Sequence, residues 1–105
     1  MKTFWLSFID PDLPTGQRFL GVAIVDVTEE DEAAALEDFP QMHDRVRGPG
    51  VIAAARKAAA LGCNPGGEVA AHIIPPGGLP VEDHHKNLLL DVATLQEFGL
   101  IERVH

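Results

Sequence analysis

An α+β fold, with an antiparallel sheet of three to four strands packed against two to three helices in the order ββααβαβ, follows from three features of the sequence. Two apolar runs stand close together near the start, the first alternating and the second β-branched and apolar on both faces, joined by a short breaker that suits an antiparallel pair. Two helix-type segments then follow with no strand between them, which excludes a simple βαβ alternation. Beyond a turn rich in glycine and proline the period-two pattern returns. At 105 residues the chain is of single-domain size and contains no stretch that reads as a linker. Residues 1–105 are therefore expected to form one domain, burying roughly two-thirds of the surface of the unfolded chain.

Taken in order, residues 3–9 (TFWLSFI) set Phe4, Leu6 and Phe8 on one side and Trp5 and Ser7 on the other, and their aromatic content favours a strand. A weak likeness to a signal peptide goes no further. The apolar run is short, lacks a small-residue cleavage site and runs into acids and proline. After the breaker DPDLPTG, residues 18–27 (RFLGVAIVDV) are apolar on both faces, with Phe19, Ala23 and Val25 alternating with Leu20, Val22 and Ile24. Such a strand belongs in the centre of a sheet or at an interface.

Thr28 and Asp31 form an imperfect capping box at the head of EEDEAAALEDF, whose first-turn acids suit the positive end of a helix dipole. This helix is expected to end near Pro40. Residues 40–50 (PQMHDRVRGPG) are turn-rich, and Pro49 suits the first helical position ahead of VIAAARKAAAL. The alanines of that helix imply close packing against a sheet or a second subunit.

In LGCNPGGEV (61–69), Gly62 falls where a helix takes a left-handed C′ residue, Asn-Pro starts a turn, and Gly-Gly releases the chain into a strand at 68–74 (EVAAHII). Val69, Ala71 and Ile73 then face one way and Glu68 and His72 the other. Residues 75–87 (PPGGLPVEDHHKN) read as a long loop. Asp91 serves as N-cap to VATLQEF, Gly99 as its stop, and LIERV as a short last strand.

Composition narrows the function classes. Hydrophobic residues at 46% and charged residues at 23% describe a globular chain rather than a disordered one. Eight Lys and Arg against sixteen Asp and Glu leave a net charge of -8, which repels a phosphate backbone and argues against nucleic acid as a partner. Half the acids lie between Asp26 and Asp44 and half the bases follow from Arg45 to Lys57, a switch expected of neighbouring surface elements that attract each other. No apolar run is long enough to span a membrane. Cys63 is the only cysteine, so no intrachain disulfide can form, which fits a cytoplasmic protein.

Four groups of residues carry chemistry worth weighing. Gly66 and Gly67 can make an anion-binding nest of successive backbone N–H groups. Phosphate loops, however, lead from a strand into a helix N-terminus, and this segment leaves a helix C-terminus, so a plain turn explains it better. Here the residues AARKAAALGCNPGGEV, followed by an Ile-Pro strand end, resemble a segment of small uncharacterised bacterial and phage proteins over about residues 53–75. The resemblance implies a helix-turn-strand unit and no activity.

His84 and His85, beside Glu82 and Asp83, form the densest cluster of metal-ligand types. Adjacent histidines rarely converge on one ion, and a third ligand would have to come from His43, His72, Cys63 or His105. A solvated polar loop is the simpler expectation. Trp5, Ser7, Glu68 and His72 share the non-core side of strands one and three and make a candidate binding surface, unless a helix or a second copy covers them. Cys63 and Ser7 do not read as nucleophiles, since a helix C-terminus raises a thiol's pKa and Ser7 lies in a strand.

No cofactor signature is present. The expectation is a small soluble interaction module that forms a homodimer, because strand two, Trp5 and Ile9 of strand one, and the alanine-rich helix offer more apolar face than three helices can cover. The acidic first helix offers a docking surface to a basic protein partner. The alternative is a small metal-dependent or acid–base enzyme using Glu68, His72 and the Glu82–His85 loop.

Overall fold

The computed structural model describes residues 1–38, 48–75 and 77–101. Its strands are β1 (Lys2–Ile9), β2 (Phe19–Val27), β3 (Glu68–Ile74) and β4 (Leu89–Leu90), and its helices are α1 (Glu29–Asp38), α2 (Pro49–Ala60) and α3 (Val92–Glu97). The strands form one sheet in the order β3-β1-β2-β4, and every neighbouring pair is antiparallel. The expected fold class stands. The fourth strand, however, precedes the last helix rather than following it. The segment expected to be that strand begins at Leu100 and Ile101, which pack on the sheet without joining it, and its remaining residues lie outside those described.

The alternation read from β1 is the alternation observed. Phe4, Leu6 and Phe8 are buried with Ala23, Val25 and Val27 of β2 on one face of the sheet, and Ala35 of α1 and Ala53, Ala54 and Ala58 of α2 close over them. Alanines suit that position because a short side chain lets the helix backbone approach the strands. Burying a side chain such as Phe8 or Leu6 completely stabilises the fold by roughly 1.5–3 kcal/mol each relative to leaving it exposed.

The helix termini follow their sequence signals. Thr28 Oγ1 accepts from the Asp31 N–H and Asp31 Oδ2 accepts from the Thr28 N–H, which completes the capping box. These bonds from Thr28 hold the Asp31 carboxyl below its ordinary pKa. Pro49 opens α2. Its C-terminus is a Schellman motif, with the Gly62 N–H donating to the Ala59 carbonyl, the Cys63 N–H donating to the Ala58 carbonyl, and Gly62 at φ +75°. The acids of α1 meet the bases of α2 as the charge switch implies, through Arg56 with Asp38 and Lys57 with Asp31, while Lys2 of β1 takes Glu32.

The opposite face carries a second cluster. Val22 and Ile24 of β2 are buried there with Leu90, Leu95 and Leu100, and Trp5, Ile74, Val81, Phe98 and Ile101 pack around them. The expectation that three helices could not reach both faces is corrected in part. The C-terminal segment with α3 lies over the β2–β4 half of this face, because residues 79–101 return apolar side chains at Val81, Leu90, Leu95 and Phe98.

Candidate functional site

The uncovered half of the second face gathers the residues singled out on β1 and β3. Directly opposite residues of an antiparallel pair share a face, and the register sets Trp5 against His72, Ser7 against Ala70 and Ile9 against Glu68. Glu68, Ala70 and His72 are exposed, while Trp5 and Ser7 are half-buried. The Trp5 Nε1–H donates to Ser7 Oγ at 2.9 Å, two residues along the same strand face. This bond orients the indole and leaves one edge of it against the second apolar cluster. Glu68 and His72 are four residues apart on one strand, which at roughly 3.3 Å per residue separates them by about 13 Å. They cannot act together on one small reacting group within a single chain.

The second cluster of chemistry lies in a 3-10 turn at Asp83–His85 inside the 75–87 loop. His84 and Glu82 are exposed, but His85 is only 4% exposed, which corrects the expectation of a solvated loop. The physical reason is a reciprocal cap. The Glu82 N–H donates to His85 Nδ1 at 3.0 Å, and the Glu82 side chain in return accepts from the His85 backbone N–H. The His85 ring also stacks on Phe98, with centroids 4.5 Å apart, and His84 meets the same ring edge-on. Ligand atoms of Glu82, His84 and His85 lie within 4.8 Å of one another. These donor types suit a divalent ion such as zinc, yet the Nδ1 lone pair of His85 is already engaged by the backbone. Of the residues considered as a third ligand, His43 and His105 lie outside the described residues. Cys63 is buried, with its Sγ directed to the Ala58 carbonyl, and burial pushes its thiol pKa up.

A third arrangement had no signal in the sequence. Asp26 of β2 accepts from Thr3 Oγ1 at 2.7 Å and from Lys86 Nζ at 2.9 Å, joining three residues far apart in the chain. The Lys86 and Asp26 side chains are 16% and 20% exposed. Partial burial works to raise the Asp26 pKa, but the bonds from Thr3 and Lys86 outweigh it and hold the carboxyl below its ordinary value. The bond to Asp26 in turn raises Lys86. Beside this network opens a cleft of about 530 Å³, walled by Ile73, Ile74, Leu79 and Val81, with Thr3 and Lys86 among its lining residues.

The glycines proposed as a nest are accounted for by the turn. The Gly66 N–H donates to Asn64 Oδ1 at 2.8 Å, so it is not directed at a ligand. Gly67, at φ +73°, passes so close to the Ile9 carbonyl oxygen that a Cβ there would collide with it. Among the described residues no helix is long and apolar enough to cross a membrane. Comparison with protein-family models, with curated proteins and with solved structures finds no match to this chain.

Proposed function

We propose that the protein is a small interaction module whose contact surface is the open half of the second sheet face, and that its first partner is a second copy of itself. The observation that carries this reading is the asymmetry of cover. The C-terminal segment closes the sheet over β2 and β4, while Glu68, Ala70 and His72 of β3 stay exposed beside a half-covered tryptophan. Tryptophan is among the residues most enriched at the centre of protein contacts. A basic protein partner for α1 has less support, since Asp31, Glu32 and Asp38 already pair with Lys57, Lys2 and Arg56.

Trp5 is the only tryptophan, so its emission reports the surface directly. Sedimentation equilibrium at micromolar concentration should give a dimer. Dilution should move the Trp5 emission to the red as the mass falls. A monomeric mass and an unchanged emission spectrum across a hundredfold dilution would sink the reading.

A second reading, a metal-dependent or acid–base enzyme, draws on the convergence of Glu82, His84 and His85. In it Glu82 and His84 would hold a divalent ion, which would supply a Lewis acid at the protein surface. Stoichiometric zinc retained by tag-free protein and lost in the His84→Ala variant would favour it over the first.

A further inference from the structure

We propose that two copies pair antiparallel through their β3 strands with Ala70 on the two-fold axis, so that Glu68 of each chain stands directly opposite His72 of the other. This rests on the self-association reading but sets the contact along the β3 edge rather than on the open face, so Trp5, one strand in on β1, stays half-covered in the dimer. A dimer whose Trp5 emission is unchanged on dilution favours the edge over the face. One edge of β3 is paired with β1 along its whole length, and among the described residues nothing pairs with the other. Exposed edges are usually blunted by proline, lysine, a bulge or a very short strand. The seven residues EVAAHII contain neither proline nor lysine, and the pairing with β1 runs without a register shift. The free edge is therefore a template for another strand.

Self-complementarity selects the register. A two-fold axis normal to the sheet keeps each face on its own side, so a residue of the open face must meet another from that face. Only a shift by whole pairs is then allowed. With Ala70 on the axis, Glu68 meets His72 twice, once in each direction, which sets a carboxylate acceptor opposite an imidazole N–H donor in each pair, whereas like charges directly opposite destabilise. An axis through Ala71 sets Glu68 against Ile74 and leaves the histidine against Ala70. An axis through His72 sets the two histidines against each other.

The Ala70 register also suits the other face. Val69 meets Ala71, both half-buried. Ile73, 52% exposed in the single chain, reaches the Gly67 turn of the second copy, where no side chain stands in its way. The net charge of -8 opposes association only weakly, because screening at physiological salt acts over about 8 Å.

Two measurements on the intact protein test the register. Ala70→Cys should form a disulfide-linked dimer readily under mild oxidation, because directly opposite Cα atoms lie about 4.5–5.5 Å apart, within disulfide reach. Ala71→Cys should not, because its symmetry copy would lie roughly 8 Å away. The native Cys63 is buried and does not compete. His72→Glu should weaken dimerisation in sedimentation by about tenfold or more, by setting Glu68 against a second carboxylate in both directions. Adding Glu68→Lys should restore it. Adding Glu97→Lys instead, with the same net charge but on exposed α3, should not. All five positions are exposed or half-buried, and circular dichroism checks that each variant folds. A wild-type dimer in which Ala71→Cys links faster than Ala70→Cys, or in which Glu68→Lys fails to rescue, overturns the register and leaves self-association standing. A monomeric wild type overturns both.

Discussion

The sheet is closed on one face by two helices and on the other by an irregular segment, although β2 is apolar on both. On the helix face the cover is broad. Ala35, Ala53, Ala54 and Ala58 meet Phe4, Leu6, Phe8 and the β2 residues mainly through apolar side chains, with the Lys2–Glu32 ion pair at the rim. On the second face the cover is narrow, and polar contacts hold it down. The Asn87 N–H donates to the Ile24 carbonyl, Lys86 binds Asp26, and His85 caps its own turn while stacking on Phe98. A long amphipathic helix supplies enough apolar area to dock by burial alone, whereas a six-residue helix and a 3-10 turn do not. Pins replace area where area is short, and beyond them the sheet is open at Glu68, Ala70 and His72 of β3.

Three experiments break or sharpen that contrast. The largest effect is expected on the helix face, where Leu6→Ala removes a fully buried side chain. It should lower stability by about 2–5 kcal/mol, read as a fall in the urea midpoint with the slope unchanged. A loss under about 1 kcal/mol would mean that the alanine helices do not pack the sheet as tightly as their burial indicates. On the second face, His85→Ala should cost about 1–3 kcal/mol through the lost cap and the lost ring stack, while exposed His84→Ala stays within about 0.5 kcal/mol. Equal effects of the two substitutions would show that the turn is not pinned by His85.

The smallest effect belongs to the Asp26–Lys86 pair and should be visible as a pH dependence. The folded Asp26 pKa lies below its ordinary value near 3.8. Its contribution is therefore present above that value and is lost as pH falls through the folded one. Lys86 is shifted upward, so its contribution is present below its ordinary value near 10.5 and is lost as pH rises through the folded one. Asp26→Asn should be less stable than wild type by about 1 kcal/mol at neutral pH, and the gap should begin to shrink as pH falls below about 4 and close only below the depressed folded value. A gap that stays constant from pH 7 to pH 3 would assign the loss to packing rather than to charge.

Legibility divides along the same line. The strands β1, β2 and β3, the facing of Phe4, Leu6 and Phe8 against Trp5 and Ser7, the caps at Thr28 and Asp91 and the turn at Gly62 were all readable, because each depends on residues within a few positions of one another. The shared face of Trp5, Ser7, Glu68 and His72 was readable for the same reason, since period two sets each strand's facing. The 75–87 segment was not. Nothing in EDHH distinguishes a solvated histidine from one that caps a turn and stacks on a phenylalanine thirteen positions further on.

By itself the sequence determined the strands β1, β2 and β3 and the three helices, which side of β1 and of β3 is apolar, and that β2 must be covered twice. Those properties are local, set by period, propensity and capping chemistry. The tertiary structure alone decided that β4 forms at Leu89–Leu90, that Thr3, Asp26 and Lys86 meet, and that the C-terminal segment reaches Trp5 and Ile74 but leaves Glu68, Ala70 and His72 of β3 exposed. The first two join residues 23 to 68 positions apart. Contacts at such separations are set by competition among all surfaces for one core, and no local pattern records which of them wins.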